Sequence, residues 1–271
     1  MNSIRLLLIG FLFTSLINSQ NTSIEFISVP PGNYKLGTKK LPYNPSRVFV
    51  TTGYKISKYE ITNSQFSDFI KQTGYKTTAE RNHRAQVYRP GLEDYIWHED
   101  SSAFWKFPQG KSYYCIDSLP NHPVTCITLE DAKAYCSWAK VRLPTFDEWE
   151  AACRAGSSEI YHWGKDIDKA IIYGNIWHGK DHKKPDFSDG YCFTSPVGSF
   201  KPNNWGLYDM AGNVFELCDG SFPNDAEGIA HARGGSWWCS KYTCSFFNSV
   251  NIGKYKSKAS FSNIGFRVVK D

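Results

Sequence analysis

From Gly156 to Asp271 the chain runs as short apolar pieces split by Gly, Asn and Asp, with no apolar stripe long enough to wind a helix. That stretch limits the fold more than any other feature. A core must come from loops and short strands covered by large rings. The composition supplies those rings, with 9 Trp, 16 Tyr and 18 Phe beside 21 Gly.

The N-terminal half carries the regular elements. Residues 24–36, IEFISVPPGNYKL, predict a strand, a Pro-Pro-Gly turn and a second strand. VFVTTGYKISKYEIT (48–62) alternates in strand fashion. Thr62 or Asn63 then caps a helix whose stripe is Phe66, Phe69 and Ile70, ending before Gly74. Residues 77–125 lack periodicity and predict long ordered loops. In TLEDAKAYCSWA, Thr128 and Asp131 form a capping box with Asp in place of the usual Glu or Gln. In RLPTFDEWEAACRAG, Thr145 and Glu148 form a regular one, and Gly156 is the left-handed stop. With no internal repeat or linker, the expectation is an α+β, single loop-rich domain over residues 24–271, with few helices and short antiparallel strands.

Residues 1–20, MNSIRLLLIGFLFTSLINSQ, carry Arg5, an apolar run from Leu6 to Phe13, then small and polar residues. That is the pattern of a signal peptide cleaved near Ser19 or Gln20, and the run falls short of the roughly 20 apolar residues of a spanning helix. The expected location is therefore secreted or periplasmic, with no membrane partner. There the eight cysteines, 115, 126, 136, 153, 192, 218, 239 and 244, can oxidise, in a pairing that spacing does not give. The net charge is +5, but the basic residues are scattered, and KDHKK (180–184) reads as a solvated loop rather than a nucleic-acid surface.

Several groups could carry chemistry. Cys239 and Cys244 in RGGSWWCSKYTC are a disulfide, two buried thiols, or a thiolate pair for a soft ion. Cu(I) accepts two sulfur ligands, whereas structural zinc needs four donors. His178 and His182 are four apart but flank Gly179 in a loop-like stretch, a poor metal pair. Asp189-Gly190-Tyr191 and Asp209-x-x-Gly212-x-Val214-x-Glu216 mix carboxylates with turns, as calcium sites and ordinary turns both do. There is no phosphate-cradling loop, Ser-His-Asp order or zinc-protease helix.

Taken together, RLPTFDEWEAACRAG, GNIWHG, NNWGLYDMAGNVFEL, RGGSWWC, SNIGFRV, YEITNSQFSDFIKQTGYKTTAE and HPVTCITLEDAKAYCSWA resemble the formylglycine-generating enzymes, or sulfatase-modifying factors. The likeness covers nearly the whole chain after the leader. It implies the fold of that family, related to C-type lectins. It implies that Cys239 and Cys244 bind Cu(I) and are catalytic, that a substrate cysteine joins as a third sulfur ligand, and that Ser236 hydrogen-bonds near the oxygen pocket. The implied reaction uses O2 to convert a cysteine in a Cys-x-Pro-x-Arg segment of an unfolded or nascent sulfatase to Cα-formylglycine, by a monomeric enzyme. It also implies two Ca2+ sites. One comprises Asn175, the Ile176 carbonyl, Asp189 and the Tyr191 carbonyl; the other comprises Asp209, the Gly212 and Val214 carbonyls, and Glu216.

The sequence departs from the family at Thr243, often Tyr, and at Phe215 and Leu217, commonly Trp. SFFNSV (245–250) replaces an Arg-rich segment. Ser249 and Val268 stand where the disulfide partners of Cys136 and Cys153 would be. The alternatives are a non-catalytic secreted binding or scaffold member of the fold, and an iron-dependent C–S bond-forming relative, whose His-x3-His-x-Glu pattern this chain lacks.

Overall fold

The helices are set by their caps. The computed structural model describes residues 23–89, 91–113, 116–184, 187–222 and 224–271, so the leader expected at 1–20 and Cys115 lie outside the described residues. Helix α1 (Asn63–Thr73) starts at Thr62, whose hydroxyl accepts from the Gln65 N–H while the Gln65 side chain accepts from the Thr62 N–H, and it stops at Gly74 in the left-handed conformation. Helix α2 (Thr78–Asn82) repeats that box with Thr77 and Glu80, in a segment expected to be loop. Its single turn has no apolar stripe to announce it. Helix α3 (Leu129–Ala139) uses Thr128 and Asp131, so Asp serves in the box, and α4 (Phe146–Arg154) uses Thr145 and Glu148. The left-handed stop of α4 is Ala155 at φ 45, one residue before the Gly156 expected there; Gly156 follows at φ 84. Beyond it, α5 (Ala170–Tyr173) is one turn preceded by a 3-10 turn at Ile167–Lys169.

The described residues also form eleven short strands: β1 (Phe26–Val29), β2 (Gly32–Leu36), β3 (Arg47–Thr51), β4 (Tyr54–Ser57), β5 (Ala85–Val87), β6 (His98–Asp100), β7 (Phe215–Cys218), β8 (Ile229–Arg233), β9 (Gly253–Lys256), β10 (Ile264–Gly265) and β11 (Val269–Lys270). The stretch 48–62 is two strands, because Gly53 at φ +96 turns the chain between β3 and β4. β1 and β2 do not pair with each other. β4 lies between β1 and β11, β2 pairs with β3, and β5 with β6. The remaining sheet has the order β10-β7-β8-β9, with β10 parallel to β7 and the other pairs antiparallel. No helix among the described residues is long and apolar enough to cross a membrane.

Aromatic rings fill the space that regular elements leave. Phe66, Phe69, Trp105, Tyr135 and Phe266 join α1 and α3 to the loops in one core. A second core packs Trp149, Ile56, Leu207 and Val269 behind α4. A third, of Tyr88, Trp177, Trp237 and Trp238, lies under the loops on the side of the cysteine pair.

One histidine, His162, shares this interior, and a second, His122, is half-buried beside Thr194. Burial pushes His162 and His122 from the ordinary 6.5 down to about 4. The unfolded chain therefore binds more protons between pH 6.5 and pH 4, so folding stability falls as pH drops through that window. Buried His162 contributes on the order of 3 kcal/mol at most, and half-exposed His122 less. His162 sits edge-on to Trp163 and Tyr173. Urea unfolding at pH 7 and pH 4.5 is expected to show a smaller acid loss for His162→Phe than for the natural chain.

Candidate metal and active site

Cys239 and Cys244 sit in a turn that the preceding glycines make possible. Gly235 has φ +73, and a Cβ there would come within 2.6 Å of the Phe247 nitrogen. Only glycine lets the chain pass Phe247 at this point. Gly235→Ala is expected to lower unfolding free energy by about 2–3 kcal/mol, read by chemical denaturation, and to disturb the cysteine turn. After the turn, Cys239 N–H donates to the Ser236 carbonyl at 2.9 Å and Trp177 N–H to the Cys239 carbonyl at 2.8 Å. The Ser240 hydroxyl accepts from the N–H groups of Tyr242 and Thr243, both at 3.1 Å, and closes the loop between the cysteines.

The two sulfurs converge and are joined as a disulfide, with Cα atoms 4.6 Å apart. The question left open by spacing thus resolves, in this structure, to a bonded pair. Cys239 is fully buried, while Cys244 borders a cavity of about 260 Å³ whose walls include Tyr95, Trp97, Trp238, Phe246 and Phe261. Four other thiols, Cys126, Cys136, Cys153 and Cys218, are buried and unbridged. Burial pushes the thiols of Cys136 and Cys153 up to about 12 and raises those of Cys126 and Cys218 further. They are inert, and Ser249 and Val268 provide no sulfur to pair with. The candidate pair is therefore set apart by position: Cys244 borders this cavity, the four buried thiols are not in its lining, and half-buried Cys192 packs against the Tyr88, Trp177, Trp237 and Trp238 cluster instead.

Ser236 is buried behind the pair, its hydroxyl accepting from Asn263 Nδ2 at 3.0 Å and from Trp238 N–H at 3.3 Å. His182 is brought here from a distant loop. Its Nδ1 lies 2.6 Å from Asp94 Oδ1 and its Nε2 lies 2.7 Å from the Trp238 carbonyl, with its ring stacked on Trp238 at 3.9 Å. His178 instead lies 3.7 Å from Asp189, so the two histidines do not share a site. Tyr95 packs edge-on to Trp238 at 5.0 Å. Tyr95, Trp97 and His182 reach the cysteines only through tertiary folding, and no local spacing marks them.

The first carboxylate group assembles around Asp189, whose Oδ2 accepts the Ile176 N–H and whose Oδ1 accepts the Tyr191 N–H, both at 3.0 Å. Asn175 is beside them, its Nδ2 donating to the Phe193 carbonyl at 2.8 Å. In the second group Gly198 N–H donates to Asp209 Oδ2 at 2.7 Å, while Asp209 Oδ1 is buried with no partner. Glu216 is already held, accepting from Trp149 Nε1 at 2.6 Å and from Arg267 Nε and Nη2 at 2.6 and 2.7 Å. Glu60, which no motif singled out, completes this buried acidic region by accepting from Asn213 Nδ2 at 2.6 Å and the Val214 N–H at 3.2 Å. Burial raises its carboxyl well above the ordinary value, and the nearby Asp209 and Glu216 raise it further. Burial likewise raises Asp209, to about 6. An unpartnered buried carboxylate oxygen among three acids and one arginine fits a hard cation. No three His, Cys, Asp or Glu side chains among the described residues converge as a metal cage, so carbonyls would have to complete either set.

The donor set at the cysteines fits a soft monovalent ion on chemistry. Once reduced, it offers two sulfurs on one short turn, which suffices for Cu(I) and not for structural zinc.

Comparison with known proteins points the same way as the motifs. The family described as sulfatase-modifying factor enzyme 1-like domain matches residues 14–271. The formylglycine-generating enzyme of Thermomonospora curvata is 32% identical over 289 residues, which span 93% of this chain and 95% of that protein. A Bos taurus protein named inactive C-alpha-formylglycine-generating enzyme 2 is 30% identical over 79% of this chain and 77% of its own length. Among solved structures, PvdO from Pseudomonas aeruginosa matches with a TM-score of 0.69 and 25% identity, over 93% of this chain and 95% of that one.

Proposed function

The chain belongs to the sulfatase-modifying factor enzyme family, and from that premise we propose that it oxidises a cysteine of a sulfatase to Cα-formylglycine, using Cu(I) and O2. The observation that carries the reading is the convergence of Cys239 and Cys244 at the edge of an aromatic cavity, while the other buried cysteines are sealed in the core. Cys239 and Cys244 would hold the ion as thiolates after a thiol reductant opens their bond. Bound Cu(I) would supply one electron towards activating O2, while the substrate CH2–SH gives up two electrons and two hydrogens to O2, and water then releases its sulfur as hydrogen sulfide to leave the aldehyde. Tyr95, Trp97 and Trp238 wall the open cavity and would limit the approach of the reacting cysteine. Ser236 and Asn263, hydrogen-bonded to each other, fix the turn that carries Cys239. The proposed substrate is an unfolded segment containing Cys-x-Pro-x-Arg, met outside the cytosol by a monomeric enzyme.

The same reading places Ca2+ at Asp209 with the Gly212 and Val214 carbonyls and Glu216, and at Asn175, Ile176, Asp189 and Tyr191. The unpartnered Asp209 Oδ1 supports the first of these. Calcium at a hundredfold excess over its Kd is expected to add about 2.7 kcal/mol of stability. Asp209→Asn is expected to lose most of that gain in a thermal melt with and without chelator.

A second reading is a non-catalytic binding member. The Cys239–Cys244 disulfide would then serve as a staple, and a relative named as inactive supports this reading. One experiment separates the two. Reduced protein is incubated with Cu(I), O2 and a Cys-x-Pro-x-Arg peptide, and the product is weighed by mass spectrometry. Aldehyde supports the oxidase; copper binding with no aldehyde supports the scaffold.

A further inference from the structure

The cavity beside Cys244 adjoins a second groove of about 460 Å³, and Lys254, Tyr255 and Phe261 line both. The character of the wall changes along the way. Near the cysteine it is aromatic. Further on, the lining includes Arg84, Lys254, Lys256 and Lys258, with Glu99 the one acid among the described lining residues.

Strand geometry explains the row of cations. Lys254 and Lys256 are two apart on β9 and share its outer face, while Gly253 and Tyr255 turn inward; Lys258 follows just past the strand. Lys254 is paired with Asp225 at 2.9 Å, and Arg84 reaches Glu99 only at 3.9 Å. Lys256 and Lys258 are exposed and have no carboxylate partner among the described residues. β9 is also the edge strand of its sheet, so its outer backbone side has no strand partner there. The opposite wall is fixed, because Gln86 N–H donates to the Ser260 carbonyl at 2.8 Å and Ser262 N–H to the Gln86 carbonyl at 2.9 Å.

A groove with a rigid wall, an open strand edge and an excess of unpaired cations suits one kind of occupant: an extended chain with negative side chains. We propose that this enzyme selects cysteines flanked by acidic residues, the flank lying in the groove of Arg84, Lys254, Lys256 and Lys258 while the cysteine enters the aromatic cavity. This rests on the oxidase reading and adds the substrate class to it.

The test separates recognition from chemistry. Three peptides share one core in which serine replaces the reactive cysteine, with flanks of four Glu, four Ser or four Lys. Binding to the full protein is followed by fluorescence anisotropy. The Glu peptide should bind roughly ten-fold more tightly than the Ser peptide, and the Lys peptide most weakly. The preference should shrink as salt rises from low to high ionic strength. Lys256→Glu with Lys258→Glu should reverse the order. Equal binding of the three, or a preference for Lys flanks, overturns the proposal. So does a sulfated oligosaccharide that displaces the Glu peptide at equal charge, since the groove would then be a glycan site. Cysteine versions of the peptides report the reaction separately. Aldehyde from all three at equal efficiency would keep the oxidase and overturn the acidic preference. Acid-selective binding without aldehyde would overturn the oxidase and keep the groove.

Discussion

Serine at Cys239 or at Cys244 is expected to abolish aldehyde formation, a loss of more than about a hundred-fold, since even an outer partner of a metal site is worth 10–100-fold. The reason is donor chemistry. A serine hydroxyl is hard and protonated at neutral pH, so it cannot replace a thiolate on Cu(I). The two variants should behave alike, because a lone sulfur of the pair would leave the ion one-coordinate before substrate arrives. They also separate a catalytic role from a structural one. The bond spans residues only five apart, so losing its loop constraint costs about 2 kcal/mol under oxidising conditions. Under reducing conditions that difference should vanish while the activity loss stays. A serine variant that keeps substantial activity in reductant would contradict the account.

The largest effect on stability is expected at Arg267. Arg267 and Glu216 are both fully buried and meet through two parallel hydrogen bonds, and Arg267 also donates to the carbonyls of Ser57 at 3.1 Å and Tyr208 at 2.8 Å. It thus joins the end of β4, the Tyr208 loop and β7. Around it lie Glu60 and Asp209, both with raised carboxyls. Arg267→Met would strand the Glu216 charge beside two other buried acids, at a cost of about 3–5 kcal/mol. For a chain of this size each kcal/mol lowers Tm by about 2–4 °C, so a fall of roughly 10 °C is expected in a thermal melt. Adding Glu216→Gln removes the stranded charge and should recover part of the loss. A double variant no more stable than the single one would show that the arginine acts through packing rather than charge.

Local signals were legible where one turn of chain is enough to define them. Thr62, Thr128 and Thr145 announce their helices, because each cap needs only a partner three residues on. The same device at Thr77 and Glu80 gives no sequence signal of a helix, since α2 buries only Thr78 and Ala79 and offers no periodic stripe. Strand pairing was hidden for a different reason. β4 bonds to β1 and to β11 at the far end of the chain, and no turn residue encodes that distance. The candidate site divides along the same line. Cys239 and Cys244 lie on one turn, so their convergence can be read from their spacing, whereas a role in metal binding comes only from the family resemblance. Tyr95, Trp97 and His182 come from loops whose course depends on the aromatic core. Glu60 carries no motif, and only burial beside Asp209 and Glu216 marks it out.

The central claim is that Cys239 and Cys244, once reduced, form one two-sulfur site for a monovalent copper ion. X-ray absorption at the copper edge of reduced protein carrying one equivalent of Cu(I) tests it directly. The account predicts two sulfur scatterers and no nitrogen, with the signal lost in Cys239→Ser and Cys244→Ser. Copper bound through imidazole nitrogen, or an unchanged spectrum in those variants, would contradict it.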